Sequence, residues 1–413
     1  MKTWMTALLL LCFLSPFYSA AQSPVDQHGM LSVNGNKILD KSNNPVSLVG
    51  MSLFWSNTNW GGEEFYTEEV VDWLIEDWNI TVIRAAMGVD ENGGYLSDES
   101  NKDRVKKIVD KAIQEGIYVI IDWHSHHAHD YEQEAIDFFG EMAEAYGDYP
   151  NVIYEIYNEP MQISWANTIK PYAESVISAI RAIDPDNLII VGNSTWSQDV
   201  DIVSQNPIED QINIAYTLHF YAATHGQNLR DKAKVALDNG IALFVTEWGT
   251  VSANGDGAID EAETSAWMDF LCEHAIGHCN WALNDKPEGA SVLKEGASPL
   301  GGWSINDLTT SGILVKDIIK DWCLSVDSKQ VYTQKKVKIY PNPSENTIQV
   351  NLGYYNLYKE LSLRNAEGID LRSLDVNFDQ KEIEIDLSDL KPGIYFLYLK
   401  SQDNLLVKKI IKL

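Results

Sequence analysis

Cysteine is scarce in this chain, four in 413 residues. Cys12 falls in an N-terminal leader, which leaves Cys272, Cys279 and Cys323. Three thiols permit one disulfide and one free cysteine, too few for a disulfide framework, and Cys272 and Cys279 lack metal-site spacing. A structural role is expected for all three. Basic residues are also few, 31 Lys+Arg against 60 Asp+Glu for a net charge of −29. That balance argues against nucleic acid and anionic membrane surfaces as partners; an uncharged polymer is not repelled. Past the leader no apolar run is long enough to span a bilayer. No Gly-rich phosphate loop follows the first strand and no Gly-x-Ser-x-Gly elbow occurs, so neither a nucleotide fold nor an esterase is supported.

The leader has the make-up of a secretory signal over residues 1–21. Lys2 supplies the charge, 7–14 the apolar stretch, and Ser19-Ala20-Ala21 the small-residue cleavage site. The mature protein is therefore expected outside the cell or attached to its outer surface, without a membrane span. Aromatics make up 10% of the chain, and recurring apolar runs promise a sizeable core.

Those runs lie at 46–51, 80–86, 118–122, 152–157, 188–191, 212–218, 242–246 and 279–283. Helix-period stretches separate them at 68–77, 104–115, 132–146, 169–183, 229–239 and 262–275, with only a weak helical signal between 191 and 212. Eight buried parallel strands alternating with helices over roughly 300 residues predict an α/β (β/α)8 TIM barrel, with an open doubly wound sheet as runner-up. A hairpin at 31–33 and 37–40, turning at Asn34-Gly35, is expected to close the barrel bottom. From residue 335 the charge changes to 12 basic against 11 acidic, and no tryptophan follows Trp322. Strands at 336–340, 347–351, 360–364, 383–386, 393–400 and 405–411 predict a small all-β, sandwich-like C-terminal domain. The expected layout is a signal at 1–21, a barrel at 22–325, a linker at 326–334 and the β domain at 335–413.

The residues just past each strand carry the chemistry. Arg84 follows the second, His124 the third, Asn158 and Glu159 the fourth, Asn193 and Trp196 the fifth. His219 and Tyr221 end the sixth, Glu247 the seventh and Trp281 the eighth. In a barrel that rim collects catalytic groups. Two convergent carboxylates are what glycoside hydrolysis requires. Arg84 would keep Glu247 ionised as nucleophile, with Tyr221 donating to it. Glu159, screened by aromatics, would have a raised pKa and serve as acid. Asn158 could hold a sugar 2-hydroxyl, His124 and His219 could orient, and Trp281, Trp196 and Trp60 offer flat faces to pyranose rings.

The rows Thr81-Val82-Ile83-Arg84-Ala85-Ala86-Met87, Ile121-Asp122-Trp123-His124, Tyr157-Asn158-Glu159-Pro160, Leu218-His219-Phe220-Tyr221 and Val245-Thr246-Glu247-Trp248-Gly249-Thr250 resemble glycoside hydrolase family 5, in its bacterial endo-β-1,4-glucanase branch. The likeness covers about residues 28–322. It implies a retaining double displacement on β-glucan, with Glu159 as acid/base, Glu247 as nucleophile, and Lys286 and Glu288 binding sugar on the non-reducing side. No cofactor is implied, and a monomer is expected. Two departures stand out: the loop 52–60 has no histidine, and Gly88 occupies a position where relatives often have tyrosine. The tail resembles the type 9 secretion sorting domain of Bacteroidetes, through Ile339-Tyr340-Pro341-Asn342-Pro343, Leu390-Lys391-Pro392-Gly393-Ile394-Tyr395 and the closing Val407-Lys408-Lys409-Ile410-Ile411-Lys412. It implies the secretion machinery as partner; a carbohydrate-binding module is the alternative.

Rival readings keep the barrel. The segment Asp122 to Asp130, with His124, His126, His127 and His129, could hold a metal, although an exposed loop is the expectation for the last three. A non-catalytic glycan-binding protein is a third class. Mannan, xyloglucan or mixed-linkage glucan could replace cellulose, because C2 epimers differ by a few hydrogen bonds.

Overall fold

A computed structural model describes residues 22–323, 337–352, 360–365, 368–376, 382–400 and 405–413. The expected signal at 1–21 and linker at 326–334 lie outside the described residues. A hairpin of β1 (Ser32–Asn34) and β2 (Lys37–Leu39) precedes eight parallel strands: β3 (Val49–Leu53), β4 (Val82–Gly88), β5 (Tyr118–His124), β6 (Val152–Glu155), β7 (Leu188–Val191), β8 (Ile214–Tyr221), β9 (Ala242–Gly249) and β10 (His278–Leu283). They hydrogen-bond in sequence order, and β10 returns to β3, closing the barrel. All eight strands fall where the apolar runs predict, with ends shifted by a few residues. The doubly wound alternative is excluded.

Helices form where apolar spacing of 3–4 residues leaves one face to bury. In Ser100–Glu115 that face is Val105, Ile108, Val109 and Ala112, and the helix stops at Gly116 in the left-handed region. Thr309 caps Thr310–Lys320 by accepting from the Gly312 amide. That helix and the short Pro24–His28 were not among the predicted elements. The weak region between β7 and β8 contains a left-handed turn, with Thr195, Trp196 and Ser197 at φ 59°, 54° and 56°, and one four-residue helix, Val200–Val203.

The barrel interior is layered. Its lower layer packs Val82, Tyr118, Ile120, Ile153, Leu188, Ile190, Ala215, Ala242, Phe244 and Cys279 with Leu31 and Ile38 of the hairpin region, which plugs the bottom. Above it sit the polar groups, and an aromatic cluster of Phe54, Tyr221 and Trp281 lies at the C-terminal rim. Cys272 is bonded to Cys323, and Cys279 is free and buried.

The tail forms two antiparallel sheets. One orders β11 (Lys338–Tyr340), β12 (Thr347–Asn351) and β15 (Glu382–Asp386). The other orders β14 (Asp370–Asp375), β13 (Glu360–Arg364), β16 (Gly393–Lys400) and β17 (Leu405–Lys412). Inward residues of both sheets, among them Ile348, Val350, Leu361, Leu397 and Ile410, share one core. β14 was not predicted. Among the described residues, no helix is long and apolar enough to cross a membrane.

Candidate active site

Arg84 on β4 is completely buried and organises the rim. Its Nε donates to Glu155 Oε2 at 2.7 Å, its Nη2 to Asn158 Oδ1 at 2.7 Å, and its Nη1 to Glu247 Oε2 at 3.2 Å. Asp122 Oδ2 lies 2.9 Å from Nη2. Strand pairing sets these neighbours abreast, with Ala86 opposite Asp122 and Asp122 opposite Glu155. Burying one guanidinium is tolerable because three carboxylates surround it.

Glu247 and Thr246 are adjacent on β9, yet both reach inward. Strict alternation would send them to opposite faces. The register explains the exception. Thr217 pairs with Phe244 and His219 with Glu247, so β9 carries one extra residue there, a bulge that re-aims the side chains. Tyr221 donates its hydroxyl to Glu247 Oε1 at 2.8 Å. Gly249 makes room for that ring: a Cβ there would lie 2.4 Å from Tyr221 Cδ1.

Glu159 follows β6 and faces Glu247. One oxygen of each carboxyl and a ring nitrogen of His219 lie within 4.8 Å of one another. His219 Nδ1 is 2.8 Å from Glu159 Oε1, and His126 Nδ1 is 3.7 Å from Glu159 Oε2. Burial raises the Glu159 carboxyl to about 7, against the opposing charges of His126 and Arg84. Burial, then Glu159, also pushes Glu247 upward, although His219, Arg84 and Tyr221 oppose the shift. Arg84 opposes the shift, as expected, but its charge is shared with Glu155 and Asp122. Burial lowers His219 to about 4 and His124 well below the usual range, so both rings are neutral near pH 7.

The structure brings Arg84, His124, Asn158, Glu159, His219, Tyr221, Glu247 and Trp281 together. His124 Nδ1 contacts Asp122 Oδ2 at 2.6 Å, and its ring stacks on Trp281 at 5.0 Å. Trp196 and Trp60 are half-buried; Trp60 packs on Trp55 at 5.5 Å, and Trp55 meets His124 edge-on at 4.1 Å. Lys286 pairs with Glu288 at 3.0 Å and lies over Phe54, which itself touches Trp281. At Gly88 a Cβ would fall 1.7 Å from Asn57 Oδ1, so Asn57 occupies the space a larger residue would need.

The histidine segment does not converge. His124 faces Asp122, His126 the Glu159 backbone carbonyl, His127 Asp90, and His129 the Tyr157 hydroxyl. Of the last three, His127 has 45% of its side chain open, in keeping with the expected exposed loop, while His126 and His129 are partly covered. Sequence reasoning missed Asp122, Glu155 and Thr246 as members of the network. The first two carried a usable signal, since a charge inside an apolar strand needs a buried partner.

A family model described as cellulase (glycosyl hydrolase family 5) matches residues 39–287, and one described as a secretion system C-terminal sorting domain matches residues 338–413. Endoglucanase Z of Dickeya dadantii is 59% identical over 293 residues, 71% of this chain and 66% of that protein. An endoglucanase of Clostridium saccharobutylicum is 49% identical over 310 residues, 73% of this chain and 67% of the relative. The chain thus spans about two thirds of the length of these curated relatives. The catalytic domain of an endoglucanase from Thermobifida fusca has a TM-score of 0.69 at 35% identity, covering 72% of this chain and 100% of that domain.

Proposed function

The chain belongs to glycosyl hydrolase family 5, the cellulase family, and from that premise we propose that it is an exported endo-β-1,4-glucanase that cuts internal bonds of cellulose and related β-glucans with retention. The carboxylate spacing carries this reading. One oxygen of Glu159 and one of Glu247 lie within 4.8 Å, which supports the roughly 5–5.5 Å of retaining enzymes over the roughly 6.5–9.5 Å of inverting ones.

Glu247, held at one oxygen by Tyr221 and at the other by Arg84, attacks the anomeric carbon. Glu159, with its raised carboxyl, protonates the leaving oxygen and then takes a proton from the water that releases the glycosyl-enzyme. Asn158 is placed by Arg84 to meet the 2-hydroxyl. Trp281, Trp196 and Trp60 act as ring platforms, and Lys286 with Glu288 binds on the non-reducing side. The endoglucanase names of the relatives favour β-1,4-glucan over mannan or xyloglucan.

The C-terminal match supports delivery through secretion machinery to the exterior or the outer surface, with 22–325 as catalytic domain, 326–334 as linker and 335–413 as sorting domain. Proton NMR during cellopentaose hydrolysis tests retention. The β-anomer should appear first; an α-anomer would mean inversion and a different role for Glu247.

A further inference from the structure

The His219 ring bridges two functional groups. Its Nδ1 lies 2.8 Å from Glu159 Oε1 and its Nε2 lies 2.9 Å from Thr246 Oγ1. Thr246 Oγ1 in turn lies 2.7 Å from Glu155 Oε1 and contacts Thr217 Oγ1. The protons here can be counted. Glu155 receives two donors from Arg84, Nε at 2.7 Å and Nη2 at 3.2 Å, so its oxygens act as acceptors. Thr246 has one proton, and the Glu155 oxygen paired with Arg84 is the strongest acceptor in its reach. Its lone pairs then accept from the Thr217 hydroxyl and from His219 Nε2. A neutral His219 has one ring proton, now placed on Nε2. Its Nδ1 can only accept, and the donor it needs is a protonated Glu159.

We propose that Thr246 is a positioning residue that fixes the Nε2–H tautomer of His219 and so holds the proton on Glu159 until the leaving oxygen takes it. The proposal rests on the reading of Glu159 as the acid. In the first step the glycosidic oxygen gains that proton as its bond to the anomeric carbon breaks and the Glu247 ester forms. Ionised Glu159 then faces a nitrogen lone pair, an arrangement relieved when it takes a proton from the attacking water, whose oxygen displaces Glu247. The same contact therefore keeps Glu159 protonated at working pH for the first transfer and drives its reprotonation in the second.

Other groups act on this pair. His126, Arg84 and Glu155 act on Glu159, which also faces Glu247 and Tyr221 and Asp122. Glu247, Arg84, Glu155 and His126 act on His219. Thr246→Val removes only the hydroxyl and leaves these charges in place. With its Nε2 acceptor gone, His219 can carry its proton on Nδ1 and stabilise ionised Glu159.

The test compares pH profiles of kcat/KM on soluble β-glucan for full-length parent, Thr246→Val and Thr246→Ser. The alkaline limb should move down by about one pH unit in the valine variant and stay in place in the serine variant. On dinitrophenyl cellobioside, whose leaving group needs no acid, neither variant should shift it. Coincident limbs for parent and valine variant, or equal shifts in both variants, would overturn the proposal. Should the valine variant not fold, nitrogen-15 NMR of the histidine-labelled parent decides it. The His219 signals are identified by their loss in His219→Gln, and a protonated Nδ1 overturns the proposal. Failure of the acid reading is separate: Glu159→Ala would then slow both substrates equally, while the nitrogen signal still reports the tautomer.

Discussion

Glu159 and Glu247 share one buried site but differ in surroundings. Glu247 is 6% exposed, with Arg84 on one oxygen and Tyr221 on the other. Glu159 is 13% exposed, with a neutral imidazole at one oxygen. Glu159→Ala should therefore depress cellulose hydrolysis by several hundred-fold more than dinitrophenyl cellobioside hydrolysis, in line with the roughly 10²–10⁴-fold worth of a general acid. Equal losses would reassign the acid. The pH dependence follows from the same pair. Activity should fall above about 7 as Glu159 loses its proton, and fall on the acid side as Glu247, itself pushed upward, gains one. A kcat/KM profile unchanged from pH 6 to 9 would contradict this assignment.

β9 shows what a strand adds to its residues. Its bulge turns Thr246 and Glu247 inward together, and Gly249 lets Tyr221 lie close enough to reach Glu247. Gly249→Ala should displace that ring, reduce turnover at least tenfold and cost about 1–3 kcal/mol by overpacking; wild-type turnover would show that Tyr221 does not need the space. The Cys272–Cys323 bond closes a 51-residue separation, and replacing both cysteines with serine should cost about 4 kcal/mol in denaturant unfolding. The barrel strands were legible because each is a short apolar run bounded by polar residues, and the rim residues because polar and aromatic types interrupt or follow such runs. The structure puts Arg84, His124, His219, Tyr221, Glu247 and Trp281 within their strands and Asn158 and Glu159 just after β6, not all past the strand ends as expected. The bulge was not, since an extra residue exists only relative to a neighbouring strand. β14, Asp370-Leu371-Arg372-Ser373-Leu374-Asp375, was missed because an edge strand with charge at both ends lacks the apolar alternation. Asp122 and Glu155 were readable as charges inside apolar strands that need a buried partner; that the partner of both is Arg84 shows only in the folded barrel.

The chain joins a barrel whose polar layer is buried to a β domain matched to secretion. Buried histidines give that barrel a pH limit. Burial lowers His278 to about 3 and His219 to about 4, against about 6.5 unfolded. Between those values the unfolded state binds more protons, so this stability is present above about 6.5 and lost as pH falls. His278 alone should remove roughly 2 kcal/mol by pH 5, while the raised Glu159 carboxyl acts with the opposite sign over the same range. The urea midpoint should therefore fall further from pH 7 to pH 5 in the parent than in His278→Asn, and equal changes in both would place His278 in contact with solvent. The catalytic claim has a more direct test: reducing-end release from soluble carboxymethylcellulose by the full chain, with Glu247→Gln beside it. Hydrolysis by the parent that vanishes in the variant, while cellotetraose still binds, is the predicted result. A folded parent that leaves carboxymethylcellulose intact, or a variant that keeps substantial activity, would contradict the account.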